Sequence, residues 1–294
     1  VPALRTPPQG APKYAPTSWG ELRQYSDIPP TGPLEDEKAR TLIHGYHAAV
    51  SYMDAQLGRV LDELDRLGLD SNTIVVLWGD HGWHLGDHGM WCKHSNYEQA
   101  TRIPIIISAP GVTKPGTRTR ALAETVDLYP TLCELAGLPA PKNPQPLEGT
   151  SLVPVLRKPS RTSKEAVFHV YPRNRPGEGS VLGRAVRTER YRLVEWKKPG
   201  APAASAEFEL YDYRRDPLET KNLAAAEPRL VKNLHALLLA QPEAQPQIAP
   251  PKASTARPNT NRAALFARKD ANGDGKLTRE EFLANQPDPK EAPK

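Results

Sequence analysis

Two apolar, β-branched runs, Thr73-Ile74-Val75-Val76-Leu77-Trp78 and Ile103-Pro104-Ile105-Ile106-Ile107, enclose a polar loop crowded with ligand-type side chains. Runs this short and uniformly apolar read as strands buried on both faces. That pattern implies an α/β fold with a mostly parallel sheet covered by helices. The loop holds Asp80, His81, His84, Asp87, His88, Lys93 and His94, so four of the chain's 8 histidines fall within fourteen residues. Gly79, Gly82, Gly86 and Gly89 allow sharp bends and close backbone approach to a ligand. Polar groups just past the carboxyl end of a central strand lie where open α/β sheets place their sites.

Residue types bound the chemistry. Asp80 offers a hard carboxylate oxygen and His81 an imidazole nitrogen, and adjacent they can face one metal. Calcium prefers oxygen donors and zinc prefers nitrogen and sulfur, so the residues leave the metal open. Lys93 is a compact cation suited to an anionic group. A metal and a lysine in one loop read as a phosphate or sulfate site.

The run Trp78-Gly79-Asp80-His81-Gly82-Trp83-His84-Leu85-Gly86-Asp87-His88-Gly89, with Trp91-Cys92-Lys93 and Ser95-Asn96, resembles the second half of the type I sulfatases, and most the iduronate-2-sulfatase branch. The similarity takes in Gly45 to Asp54 upstream and Asp127 to Leu132 downstream, and spans roughly residues 14 to 225. The resemblance implies an alkaline-phosphatase-like core and a sulfuric-ester hydrolase acting on sulfated sugars. It implies that Asp80 and His81 bind calcium and that Lys93 binds the sulfate and serves catalysis. His84, His88 and His94 are candidates to contact sulfate or leaving group, with His84 and His94 expected to bind the substrate. The family's nucleophile is a formylglycine made from a Cys-x-Pro/Ala-x-Arg motif. The two cysteines here open Cys92-Lys93-His94-Ser95 and Cys133-Glu134-Leu135-Ala136, and neither has the motif. The chain therefore reads as a C-terminal half whose site needs a missing N-terminal half.

Composition narrows the partners. The 32 prolines, 6% aromatics and 38% hydrophobic residues require substantial loop or linker. A net charge of +5 raises nucleic acid as a partner, but no Lys/Arg stripe with interleaved aromatics is present, and an anionic sugar is favoured. No run reaches the ~20 apolar residues of a membrane span. The opening Val1-Pro2-Ala3-Leu4-Arg5 lacks a signal peptide and an initiating methionine, as expected of a truncated or processed chain. By resemblance the protein is secreted or periplasmic.

Read in order, residues 1–33 are an irregular, Pro/Gly/Ser-rich lead-in. Residues 34–164 are the α/β core. Its long helix starts at Asp36 and Glu37, carries an apolar stripe from Leu42 to Leu67, and ends at Gly68. His44 and His47, one turn apart on it, read as solvated or packed. A short helix follows across residues 126–137, with Pro130 in its first turn and Cys133 on its apolar face. Residues 165–240 alternate as strands near 166–170, 183–188, 191–196 and 208–212, a small antiparallel sheet, then a helix near 227–240. Arg173 and His169 read as structural first and as contacts to the sugar end second. Residues 241–260 form a Pro-rich linker. Residues 261–286 form an EF-hand whose loop places Asp270, Asn272, Asp274, the Lys276 carbonyl and Glu281 at calcium-ligand positions. Two other functions fit the motifs: a phosphodiesterase or phosphomutase of the same superfamily, and a non-catalytic calcium-binding module.

Overall fold

The computed structural model describes residues 1–18, 20–139, 147–175, 177, 179–243, 266, 269, 270, 272–276 and 278. The elements in chain order are α1 (Asp36–Arg66), β1 (Val75–Trp78), β2 (His84–Leu85), β3 (Trp91–Cys92), α2 (Glu98–Thr101), β4 (Ile105–Ser108), α3 (Leu128–Leu135), α4 (Val153–Arg157), β5 (Ala166–Arg175), β6 (Gly179–Thr188), β7 (Tyr191–Lys197), β8 (Glu207–Asp212) and α5 (Pro228–Leu239). The chain divides into two compact units, Val1–Gln245 and Pro246–Lys294.

The lead strand pair departs from expectation. β1 and β4 are antiparallel, with Val75 opposite Ser108 and Trp78 opposite Ile105. Their side chains are half-buried to exposed rather than enclosed on both faces. An apolar run records the tendency to be buried and carries no direction. Parallel strands need a crossover, usually a helix. The connection here instead folds into the β2–β3 hairpin and the one-turn α2, and the chain returns antiparallel.

Helix α1 starts with Asp36 and Glu37 in its first turn, where their charge suits the helix dipole, and stops at Gly68. Among the described residues its stripe is best covered near the start. Ala39 is buried, and Leu42 and Ile43 pack with Ile28, Trp91 and Cys92. Further along, Val50, Met53, Val60 and Leu61 are exposed.

The sheet β5-β6-β7-β8 is antiparallel throughout. One face is apolar: Val186, Leu193 and Leu210 close on Leu234 and Leu238 of α5. The registers put His169, Tyr171 and Arg173 of β5, Gly183 and Ala185 of β6, Arg192, Val194 and Trp196 of β7, and Glu209 and Tyr211 of β8 on the other face. That face is largely polar, and residues 94–98 rest on it. In the Pro246–Lys294 unit, Asp274 N–H donates to Asp270 Oδ1 (3.1 Å) and Asn272 Oδ1 (2.9 Å), and Gly275 N–H to Asp270 Oδ2 (2.9 Å). Glu281 and most of the linker lie outside the described residues.

Candidate functional site

β1 delivers Asp80 and His81 into the loop. Gly82 follows because a side chain there would meet the Gln99 carbonyl oxygen at 2.0 Å. Gly82 N–H donates to Ala100 O at 2.8 Å, which pins the turn to α2. His81 Nδ1 lies 2.9 Å from the Gly82 carbonyl oxygen. A carbonyl only accepts, so Nδ1 carries a proton, and the neutral ring has its lone pair on Nε2. Metal-binding histidines are commonly oriented this way. Nε2 stands 3.4 Å from Asp80 Oδ2, and the Asp80 carboxylate is 85% exposed. The pair thus presents one hard oxygen and one imidazole nitrogen side by side. The Asp80 carboxylate supplies one of the six to eight oxygen ligands calcium takes, and the His81 nitrogen is a donor of the kind zinc also accepts. Among the described residues no group of three or more His, Cys, Asp or Glu stands at metal-binding spacing.

Trp83 joins this pair to the anion-binding candidate. The His81 ring stacks on it at 5.7 Å, and Lys93 Nζ lies 5.2 Å from its centroid. Tyr46 of α1 also stacks on it at 6.3 Å. Lys93 Nζ donates to Glu21 Oε1 at 2.6 Å, and His94 Nε2 lies 3.0 Å from Glu21 Oε2. The Lys93 hydrogen bond holds the Glu21 carboxyl below the ordinary carboxylate range, against a smaller opposing effect of burial. His94 Nδ1 meets the Tyr171 hydroxyl at 2.5 Å. Burial pushes the Cys92 thiol up, which leaves it protonated and unreactive.

His84 takes another position. It has no exposed surface, and its Nε2 shares a hydrogen bond with Ser95 Oγ at 2.7 Å. Burial lowers its pKa to about 3. His88 is also buried, with its ring 5.5 Å from Tyr97, and burial lowers it too. The structure thus gathers Asp80, His81, Lys93 and His94 around Trp83 and Glu21, and sets His84 beneath them as a neutral brace.

The polar sheet face holds the loop by its backbone. Arg173 donates to the His94 carbonyl and, at 3.0 Å, to the Ala15 carbonyl. Arg192 donates to the Asn96 carbonyl, and His169 Nε2 approaches the same oxygen at 3.3 Å. Arg173 and His169 therefore serve the loop. Glu21 and Tyr171 escaped the sequence reading, and Trp83 had no role assigned in it. Glu21 lies 72 residues from Lys93 in a Pro-rich stretch, and nothing in spacing links them.

Residues 86–243, more than half of the chain, match the family model described as N-sulphoglucosamine sulphohydrolase, C-terminal, and residues 8–138 match the model described as Sulfatase. The chain belongs to the sulfatase family. Iduronate 2-sulfatase of Mus musculus is 32% identical over 280 residues, covering 74% of this chain and 51% of that protein. A solved structure of a protein with its substrate D-glucosamine-2-N,6-O-disulfate superposes with a TM-score of 0.61 at 29% identity, over 75% of this chain and 44% of that one. Phosphonate monoester hydrolase from Silicibacter pomeroyi superposes at 0.62 with 27% identity, over 81% and 50%. This sulfatase chain spans about half the length of the curated relatives it matches. Among the described residues no helix is long and apolar enough to cross a membrane.

Proposed function

We propose that this chain supplies the metal-and-lysine side of a calcium-dependent site that hydrolyses sulfate esters of sugars, in a secreted or periplasmic protein. The observation that carries the reading is the sharing of one indole by the Asp80–His81 pair and Lys93. Asp80 Oδ2 and His81 Nε2 would hold the calcium ion. When bound, calcium would polarise the sulfate and stabilise charge on its oxygens. Lys93 would bind a sulfate oxygen by charge-assisted hydrogen bonding and hold the ester in place. His84, neutral and buried, fixes the loop through Ser95 rather than exchanging protons.

The sulfate-attacking formylglycine of the family does not come from Cys92 or Cys133, whose flanking residues lack the motif. The reading therefore requires a formylglycine-bearing N-terminal half to complete the site. The relatives named iduronate 2-sulfatase, and the glucosamine disulfate bound to a structural neighbour, favour a sulfated amino sugar or uronate as substrate. A separate calcium role is proposed for Asp270, Asn272, Asp274, the Lys276 carbonyl and Glu281.

The test measures sulfate release from an arylsulfate and a 2-O-sulfated uronate by the full-length protein, with and without calcium. A phosphonate monoester serves as counter-substrate. Asp80→Ala, His81→Ala and Lys93→Ala are each expected to lower kcat/KM by on the order of a hundredfold or more. Faster turnover of the phosphonate than of either sulfate ester would move the chain to the phosphonate-cleaving branch. Calcium titration of Asp270→Ala, followed by calorimetry, separates the EF-hand from the Asp80–His81 pair.

A further inference from the structure

The cationic seat is already filled from within. Glu21 sends one carboxylate oxygen to Lys93 Nζ (2.6 Å) and the other to His94 Nε2 (3.0 Å). The three side chains are only 25–38% exposed, so the contact is sheltered rather than a loose surface pair. Its backbone is anchored independently of the site. Arg23, two residues on, donates to the carbonyls of Ser18 (3.2 Å), Pro29 (2.8 Å) and Gly32 (3.0 Å). The far side of the seat is anchored as well: Arg173 holds the His94 carbonyl, and Tyr171 meets His94 Nδ1. With both frames anchored, opening the seat requires a rotamer change of the Glu21 side chain, which is 34% exposed.

A carboxylate and a sulfate monoester each carry one negative charge, and each can take one oxygen to Lys93 and another to His94. Both cannot use the same ammonium at this distance without like-charge repulsion. We propose that Glu21 is a specificity-determining residue: it occupies the seat of the substrate's sulfate on Lys93 and His94, and an incoming sulfate must displace it. The idea rests on the reading of Lys93 as the sulfate-binding residue. Neutral ligands and hydroxyl groups cannot replace a carboxylate on a lysine, so the filled seat admits only an anion. Apparent affinity falls by the fraction of time the seat is open, and opened states are commonly populated at ~0.1–10%, so removing the occupant should strengthen binding by about tenfold or more.

The probe is inorganic sulfate, titrated calorimetrically at constant ionic strength into the full-length protein. Wild type, Glu21→Gln, Glu21→Ala, Lys93→Ala and the Glu21→Gln/Lys93→Ala double variant are compared, each checked for an unchanged melting temperature. Glutamine keeps the shape and removes the charge, and alanine removes both. Both Glu21 variants should bind sulfate at least about tenfold more tightly than wild type, and Lys93→Ala should abolish the gain. Lys93-dependent binding in wild type that Glu21→Gln and Glu21→Ala leave unchanged or weaken overturns the proposal while the Lys93 reading stands. Equal binding with and without Lys93, or no binding in any folded variant, overturns both.

Discussion

At the scale of single residues, burial separates histidines that sequence spacing had grouped. Burial holds His84 neutral with a pKa of about 3, and burial together with Arg192 lowers His169 to about 4. Both titrate near 6.5 when unfolded. Below that value the unfolded chain binds protons that the folded chain refuses, so stability is complete above about pH 7 and falls as pH drops through 6 and 5. Each histidine contributes a slope of ~1.4 kcal/mol per pH unit in that window. Denaturant midpoints measured from pH 7.5 down to 5 should fall steadily, and a His84→Gln/His169→Gln variant should give a visibly flatter line. The lowered carboxyls of Glu98 and Asp212 act below this window, since their stabilisation is lost only as pH falls through values under 4.5 and 3.8. A slope identical in the variant and the parent would remove the histidine account. The cluster was legible because four histidines in a glycine-punctuated loop between apolar runs are hard to miss. Which of them faces solvent was not legible, because burial is decided by a sheet more than seventy residues further along the chain.

At the scale of elements, the four-stranded sheet is the platform for the site loop. Its antiparallel order followed from short alternating runs separated by Gly, Pro and charge. The run Tyr191-Arg192-Leu193-Val194-Glu195-Trp196 alternates only in part, and β7 is buried on both sides, with α5 against one and residues 94–98 against the other. Arg192 and Glu219 are consequently both fully enclosed, 2.6 Å apart. Arg192 also lies 4.9 Å from each of the Tyr97 and Tyr211 rings. Arg192→Ala would leave the Glu219 charge enclosed without its partner. The expected loss is about 3–5 kcal/mol, read from chemical denaturation. A loss under about 1 kcal/mol would mean that water reaches Glu219 after all. Gly183 makes the same point from the other strand: a side chain there would meet Asn96 Nδ2 at 2.3 Å and the Trp196 ring at 2.5 Å. Gly183→Ala should cost about 1–3 kcal/mol by forcing the loop off the sheet. No local pattern marked Gly183, Arg192 or Glu219, because each is defined by what packs across from it.

At the scale of the whole molecule, the apolar surface is incompletely covered. Val50 (44%), Met53 (47%) and Val60 (65%) on α1, with Trp78 (48%) and Ile106 (58%) on the β1–β4 pair, remain exposed. The stripe on α1 was legible from its three- and four-residue steps, and so was the apolar character of both strands. Such stripes evolve against a partner, and among the described residues only the first turns of α1 have one. Relatives roughly twice as long show that the family builds its fold from more chain than these 294 residues. Each large aliphatic or methionine side chain left in water forgoes about 1.5–3 kcal/mol of burial, a strong incentive to self-associate. Produced as these 294 residues alone, the protein should scatter light as oligomers and bind a hydrophobic dye. Val50→Glu combined with Val60→Lys should reduce both signals without lowering the melting temperature, since neither side chain is packed. A monodisperse monomer that leaves the dye dark would mean that α1 tolerates its bare stripe, and the case for a covering half would then rest on the absent formylglycine motif and the greater length of the relatives.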